Sequence, residues 1–81
     1  MNYNIYEPTA EQKSKIGMVE TPPISCDFKV GDEVTFTNDF GVSFPEHKIV
    51  GFSPVVEGER FIYYNNTAWW FPCAPRQLTK K

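Results

Sequence analysis

Long apolar runs are missing from this sequence: no stretch has enough consecutive hydrophobic residues to cross a bilayer as a helix. An excess of positive charge is missing too. Lys and Arg number 8 against 10 Asp and Glu, a formal net charge of −2. Proteins held mainly by phosphate contacts are as a rule basic, so nucleic acid starts as a disfavoured partner. Histidine occurs once, as His47, and cysteine twice, as Cys26 and Cys73. No two of them have metal-site spacing, which predicts no metal site and no cofactor. Cys26 and Cys73 are expected to be free thiols acting as small buried hydrophobes. Phosphate loops and nucleophile elbows are absent. In its Pro45-Glu46-His47-Lys48 setting the histidine reads as solvated. The carboxylates Asp27, Asp32, Glu33, Asp39, Glu46, Glu57 and Glu59 are scattered. No catalytic residue is therefore expected, and the chain does not read as an enzyme. The first residues, Met-Asn-Tyr-Asn-Ile-Tyr-Glu, lack the pattern of a secretion signal, and a cytoplasmic protein is expected.

What is present is aromatic. Seven Phe, four Tyr and two Trp stand in 81 residues, and each buries on the order of 150–250 Å². They offset the small size of a chain with room for one core. Seven prolines and five glycines are spread along the chain, which favours short strands joined by turns over a helical bundle.

Residues 1–25 differ in texture from the rest and read as an arm. Thr9-Ala10-Glu11-Gln12 fits a capping box, with Gly17 as terminator of a helix of at most two turns. Met18 to Pro23 reads as a linker. The arm is either a disordered leader or a cover laid over an aromatic face by Tyr3, Ile5, Tyr6 and Ile16. Residues 26–81 read as a small bent antiparallel barrel. A Gly31-Asp32 turn precedes a strand in which Val34 and Phe36 share a face. A turn-rich loop follows at Asn38-Asp39-Phe40-Gly41. A second strand spans Glu46 to Phe52, with Gly51 marking a bulge, and a loop covers Ser53 to Glu59. Ala74 to Leu78 reads as one helical turn, and Leu78 to Lys80 as a brief closing strand. The expected fold is thus mainly β, with four to five strands.

Between these elements lies Phe61-Ile62-Tyr63-Tyr64-Asn65-Asn66-Thr67-Ala68-Trp69-Trp70-Phe71-Pro72. Two β-prone arms around Asn65-Asn66 read as a hairpin with a primed turn. Period-two alternation puts Ile62, Tyr64, Thr67, Trp69, Phe71 and Cys73 on one face, and Phe61, Tyr63, Ala68, Trp70 and Pro72 on the other. Both faces are apolar. Cysteine is among the most often buried residues, so the Cys73 face is assigned to the core with Val34, Phe36, Ile49 and Leu78. Phe61, Tyr63 and Trp70 then form an outward platform that contacts the N-terminal arm or another molecule; the alternative is that both faces are packed under loops.

Val30-Gly31-Asp32-Glu33-Val34-Thr35-Phe36, then Gly41, then Lys48-Ile49-Val50-Gly51-Phe52, resembles the opening of SH3-like small barrels, including the KOW group. Trp70-Phe71-Pro72-Cys73-Ala74-Pro75-Arg76-Gln77-Leu78 is similar to the strand, one-turn helix and final strand that close such barrels. The likeness spans Phe28 to Leu78 and implies a fold, since this architecture carries many activities. An Ala-Leu-Tyr-Asp-Tyr segment is absent, so the proline-rich ligands of SH3 domains do not carry over. The loop after the first strand carries Asp39 and Glu46, where nucleic-acid-binding KOW modules are basic. The chain also resembles small bacterial proteins found on phages and plasmids.

Two functions remain open. One is a non-catalytic module that binds a protein partner through Phe61, Tyr63 and Trp70, as a monomer or weak homo-oligomer. The other is a single-strand nucleic-acid binder that stacks bases on the same aromatics, with Arg76, Lys80, Lys81, Lys48 and Lys29 converging beside Trp70 on the phosphates.

Overall fold

The computed structural model describes residues 7–66, 68 and 70–81. Thr9 caps α1, Ala10–Lys15: its hydroxyl accepts from the Gln12 N–H, and the Gln12 side chain accepts from the Thr9 N–H. Gly17, at φ +69, ends it. There the Gly17 N–H donates to the Ser14 carbonyl and the Met18 N–H to that of Lys13, the paired closure that favours glycine after a helix.

Four antiparallel strands form one sheet: β1 Glu33–Thr37, β2 Ser43–Glu57, β3 Arg60–Tyr64 and β4 Leu78–Lys80, in the order β3-β2-β1-β4. A single 3-10 turn, Pro75–Gln77, leads into β4, which lies against β1 with Phe36 opposite Leu78. The chain is therefore mainly β with one short helix and a 3-10 turn, as its composition predicts. Among the described residues no helix is long and apolar enough to cross a membrane.

The expected loop at Ser53 to Glu59 is mostly strand. β2 runs 15 residues, to Glu57. Reversal takes only Gly58 and Glu59, with Gly58 at φ +64 at the place where a two-residue hairpin loop favours glycine. The length of β2 is accommodated by shifts of register. Against β1, Val34 faces His47 but Phe36 faces Phe44, so β2 carries an extra residue between them. Glu46 sits there at φ +66, beside Pro45, which has no N–H to leave unpaired. Against β3, Ile49 faces Tyr64 and Gly51 faces Tyr63, so a second extra residue, Val50, lies next to the glycine predicted to mark a bulge.

The hairpin expected around Asn65-Asn66 does not form. Neither asparagine has positive φ, and the chain runs on beside β2: the Asn65 N–H donates to the Lys48 carbonyl (3.0 Å), and its side-chain oxygen accepts from the Lys48 N–H (2.8 Å). Return to β3 is delayed to Cys73, which exchanges two backbone bonds with Ile62. The places expected for Thr67 and Trp69 lie outside the described residues.

Val34, Ile49, Phe52, Phe61, Ile62, Cys73 and Leu78 form the core, with Cys26, Phe28, Phe36, Val56 and Tyr64 packed against it. This corrects the expected sorting of faces. Phe61 and Tyr63, expected outside, are 1% and 5% exposed, whereas Phe71, expected inside, is 55% exposed. The reason is what covers β3. The Phe61 ring stacks beside that of Phe52 at 6.4 Å. Tyr63 faces Gly51, and Met18 lies so close to Gly51 that a Cβ there would run into its side chain. Next to Met18, Val19 exchanges two backbone hydrogen bonds with Phe52 (2.8 and 2.7 Å). The segment after α1 is thereby stitched to β2. Tyr3, Ile5 and Tyr6, the other expected covering residues, lie outside the described residues.

Gly51→Ala is expected to cost about 1–3 kcal/mol by forcing Met18 out of place. In a double-mutant cycle with Met18→Ala, measured by urea unfolding, part of that cost is recovered. Equal costs in both backgrounds would contradict the close packing at Gly51.

Candidate functional site

The sequence-predicted site residues separate in the structure. Phe61 and Tyr63 belong to the core. Trp70 is 57% exposed on the segment between β3 and the 3-10 turn, with exposed Phe71 beside it. Asn66 shapes the start of this segment: its side-chain oxygen accepts the Ala68 N–H (2.6 Å) and its side-chain nitrogen donates to the Tyr64 carbonyl (3.3 Å). The Phe71 N–H then donates to the Ala68 carbonyl. Arg60, from the start of β3, holds its guanidinium 5.3 Å from the centre of the Phe71 ring. A hollow of about 80 Å³ beside this ledge is lined by Phe36, Arg60, Tyr64, Asn66, Ala68, Phe71 and Cys73.

Arg76 is exposed on the 3-10 turn and ties three loops together. Its Nε donates to Glu59 of the β2–β3 turn, and its guanidinium lies 3.6 Å from Asp39 of the β1–β2 loop. Gln77 also donates to Asp39 (3.3 Å), and its side-chain oxygen accepts the Ala74 N–H. Exposed pairs of this kind contribute about 0–1 kcal/mol, so their consequence is position more than stability. In the loop so anchored, Asn38 accepts the Phe40 and Val42 N–H groups, and Phe40 at its tip is 91% exposed.

His47, expected to be solvated, is 2% exposed. Its Nδ1 stands 3.1 Å from both the backbone and the side-chain oxygen of Asn65, and its ring meets the Tyr64 ring edge-on at 4.9 Å. Both Asn65 atoms are acceptors, the side-chain oxygen being identified by the Lys48 N–H it receives, so Nδ1 carries the proton. A signal for this burial was available in the strand: His47 shares parity with the core residue Ile49. Asn65 gave none, because its chemistry depends on meeting β2. Lining a larger cavity of about 600 Å³ are His47, Asn65, Glu7, Glu33, Val34, Thr35, Pro45, Glu46, Lys48 and Lys81.

Cys73 is buried and Cys26 half-buried. Burial pushes the Cys73 thiol up from 9.0 to about 12, partly offset by Arg60. It also raises the phenols of Tyr64 and Tyr63. A thiol held neutral in this way is a poor nucleophile. Among the described residues no group of three or more His, Cys, Asp or Glu side chains is placed to hold a metal ion. The chain matches no family model, and neither the curated proteins nor the solved structures contain a match to it.

Asn65→Ala leaves the Lys48 N–H without its acceptor, and a loss of about 1–3 kcal/mol is expected in denaturant unfolding. A change under about 0.5 kcal/mol, the range of ordinary surface substitutions, would show that this bridge contributes little. A second expectation concerns pH. The folded state holds the Cys73 proton more tightly than the unfolded chain, so this contribution is complete below about pH 9 and is lost as pH rises towards 12. Thermal melts should fall across that window, and less steeply in Cys73→Ala.

Proposed function

We propose that the chain is a non-catalytic binding module of SH3-like architecture that takes a protein partner on the ledge formed by Trp70 and Phe71. For the architecture, the support is topological. A Gly-Asp turn launches β1, a long bulged β2 pairs on both sides, and a 3-10 turn returns the last strand to β1. For the ledge, one observation carries the reading: two large aromatics stand more than half exposed side by side, in a chain that buries Phe52, Phe61 and Tyr63 almost completely. Exposed aromatics give a partner large rigid area at small entropic cost. Arg60 beside Phe71 adds a cation to the rim, and Arg76, anchored to Glu59 and Asp39, holds the neighbouring loops in place.

The single-strand nucleic-acid reading loses ground on the same residues. Arg76, one of its expected phosphate contacts, is already committed to two carboxylates. Lys80 lies 3.6 Å from Asp32.

Panning a random-peptide library against the wild-type chain should enrich a sequence pattern that the Trp70→Ala/Phe71→Ala variant no longer selects. The unfolding free energy of that variant should stay within about 1 kcal/mol of wild type, as for two surface sites. Selection unchanged by the double substitution overturns the ledge as the binding surface. Salt-dependent quenching of tryptophan fluorescence by short oligonucleotides would instead support the nucleic-acid reading.

A further inference from the structure

Arg60, Ile62 and Tyr64 share one face of β3 by alternation. Ile62 is fully buried, and Arg60 and Tyr64 on either side of it line the hollow beside the ledge. Cys73, which pairs with Ile62, lines it too, as does Phe36, whose ring stacks on that of Tyr64 at 4.9 Å. At about 80 Å³ the space is well below the roughly 300–1,000 Å³ of sites that enclose a whole small molecule. It equals roughly two to three waters at about 30 Å³ each, room for one short aliphatic side chain.

The second observation is Arg60 itself. The chain has two arginines, Arg60 and Arg76. Arg76 is paired with Glu59 and Asp39. Arg60 makes no ion pair and no side-chain hydrogen bond among the described residues, although Glu57 faces it across the β2–β3 pair. Its half-buried side chain instead lays the guanidinium against Phe71, on the wall of the hollow. A ring face attracts the cation without filling the fork of N–H donors that matches a carboxylate.

We infer, resting on the reading of the ledge as a protein-binding surface, that the hollow takes the C-terminal residue of the partner chain. Its aliphatic side chain enters the hollow and its carboxylate lies on Arg60. A chain end carries both groups on one Cα, which suits a space this small with a cation in its wall. An acidic residue next to the inserted one in an extended segment would point to the opposite side, and the next along would stand about 6.6 Å further on.

The test titrates the full, isotope-labelled chain with N-acetyl-alanyl-alanyl-leucine, with its C-terminal amide, with N-acetyl-alanyl-alanyl-glycine and with N-acetyl-leucyl-aspartyl-alanine amide, followed by amide chemical shifts. Saturable shifts at Arg60, Tyr64 and Cys73 are expected with the leucine free acid. The other three should bind at least about tenfold more weakly, a full decade of Kd. Arg60→Gln should bring the free acid down to the affinity of the amide; should that variant fail to fold, the comparison of acid with amide on the wild-type chain decides. Absence of saturable shifts with the free acid overturns the inference, as does equal binding of the amide or of the internal aspartate. Library peptides that depend on Trp70 and Phe71 but need no free C-terminus leave the ledge standing and overturn this inference alone. Free-acid binding that needs Arg60, with library selection indifferent to Trp70 and Phe71, supports the hollow and overturns the ledge.

Discussion

A strand of 15 residues has two edges, and every backbone N–H and C=O along them must find a partner or water. Meeting that demand along β2 determines where most of the chain goes. One edge is taken in turn by β1, by the Gly31–Asp32 turn, whose backbone bonds to Ile49 on both sides, and by Val19 at Phe52. The other is taken by β3 and, beyond its end, by Asn65, whose side chain meets the Lys48 N–H where a strand would have offered a carbonyl. The shifts of register near Glu46 and Gly51 follow, because a strand that serves several partners has to bend between them.

That arrangement also explains how aromatic residues are divided between interior and surface. Alternation sorts side chains into two sides of a strand, but both sides of β3 are enclosed. Phe61 and Ile62 both belong to the core, and Tyr63 faces the glycine on which Met18 rests. Past Asn65 the chain leaves the sheet, and there Trp70 and Phe71 meet solvent. The pairing of Ile62 with Cys73 closes this excursion, and Asn66 shapes its start with bonds to Tyr64 and Ala68. The exposed ledge is thus a by-product of delayed return, held at one end by a buried thiol and at the other by an asparagine turn.

Much of this was legible in residues with strong local chemistry. Thr9 and Gln12 box the start of α1, Gly17 ends it, Gly31 turns before β1, and Pro75 opens the turn before the last strand. Each needs only its neighbours in sequence to act. Val34, Ile49, Ile62, Cys73 and Leu78 were recognisable as core from parity and composition. What could not be read depended on partners distant in sequence. Asn65-Asn66 has the composition of a tight turn, and only the presence of Lys48 beside Asn65 makes extended pairing the better use of its amide. Burial of Phe61 and Tyr63 depended on Phe52 and Met18, and burial of His47 on the bulge at Glu46 and the Asn65 oxygens. The loop expected at Ser53 to Glu59 failed for a similar reason: Ser53-Pro54 reads as a break, yet strand structure persists to the Gly58 turn.

The stitch between Val19 and Phe52 has a consequence for how the molecule comes apart. A fragment beginning near residue 26, where the texture of the chain changes, would carry all four strands and still be incomplete. Phe52 would keep its ring in the core but present a bare N–H and C=O on an unprotected edge, next to a glycine with nothing resting on it. An open edge of that kind pairs with any extended chain it meets, including another copy of itself. Protease cleavage between α1 and β1 would therefore turn a self-contained globule into one prone to strand-by-strand aggregation.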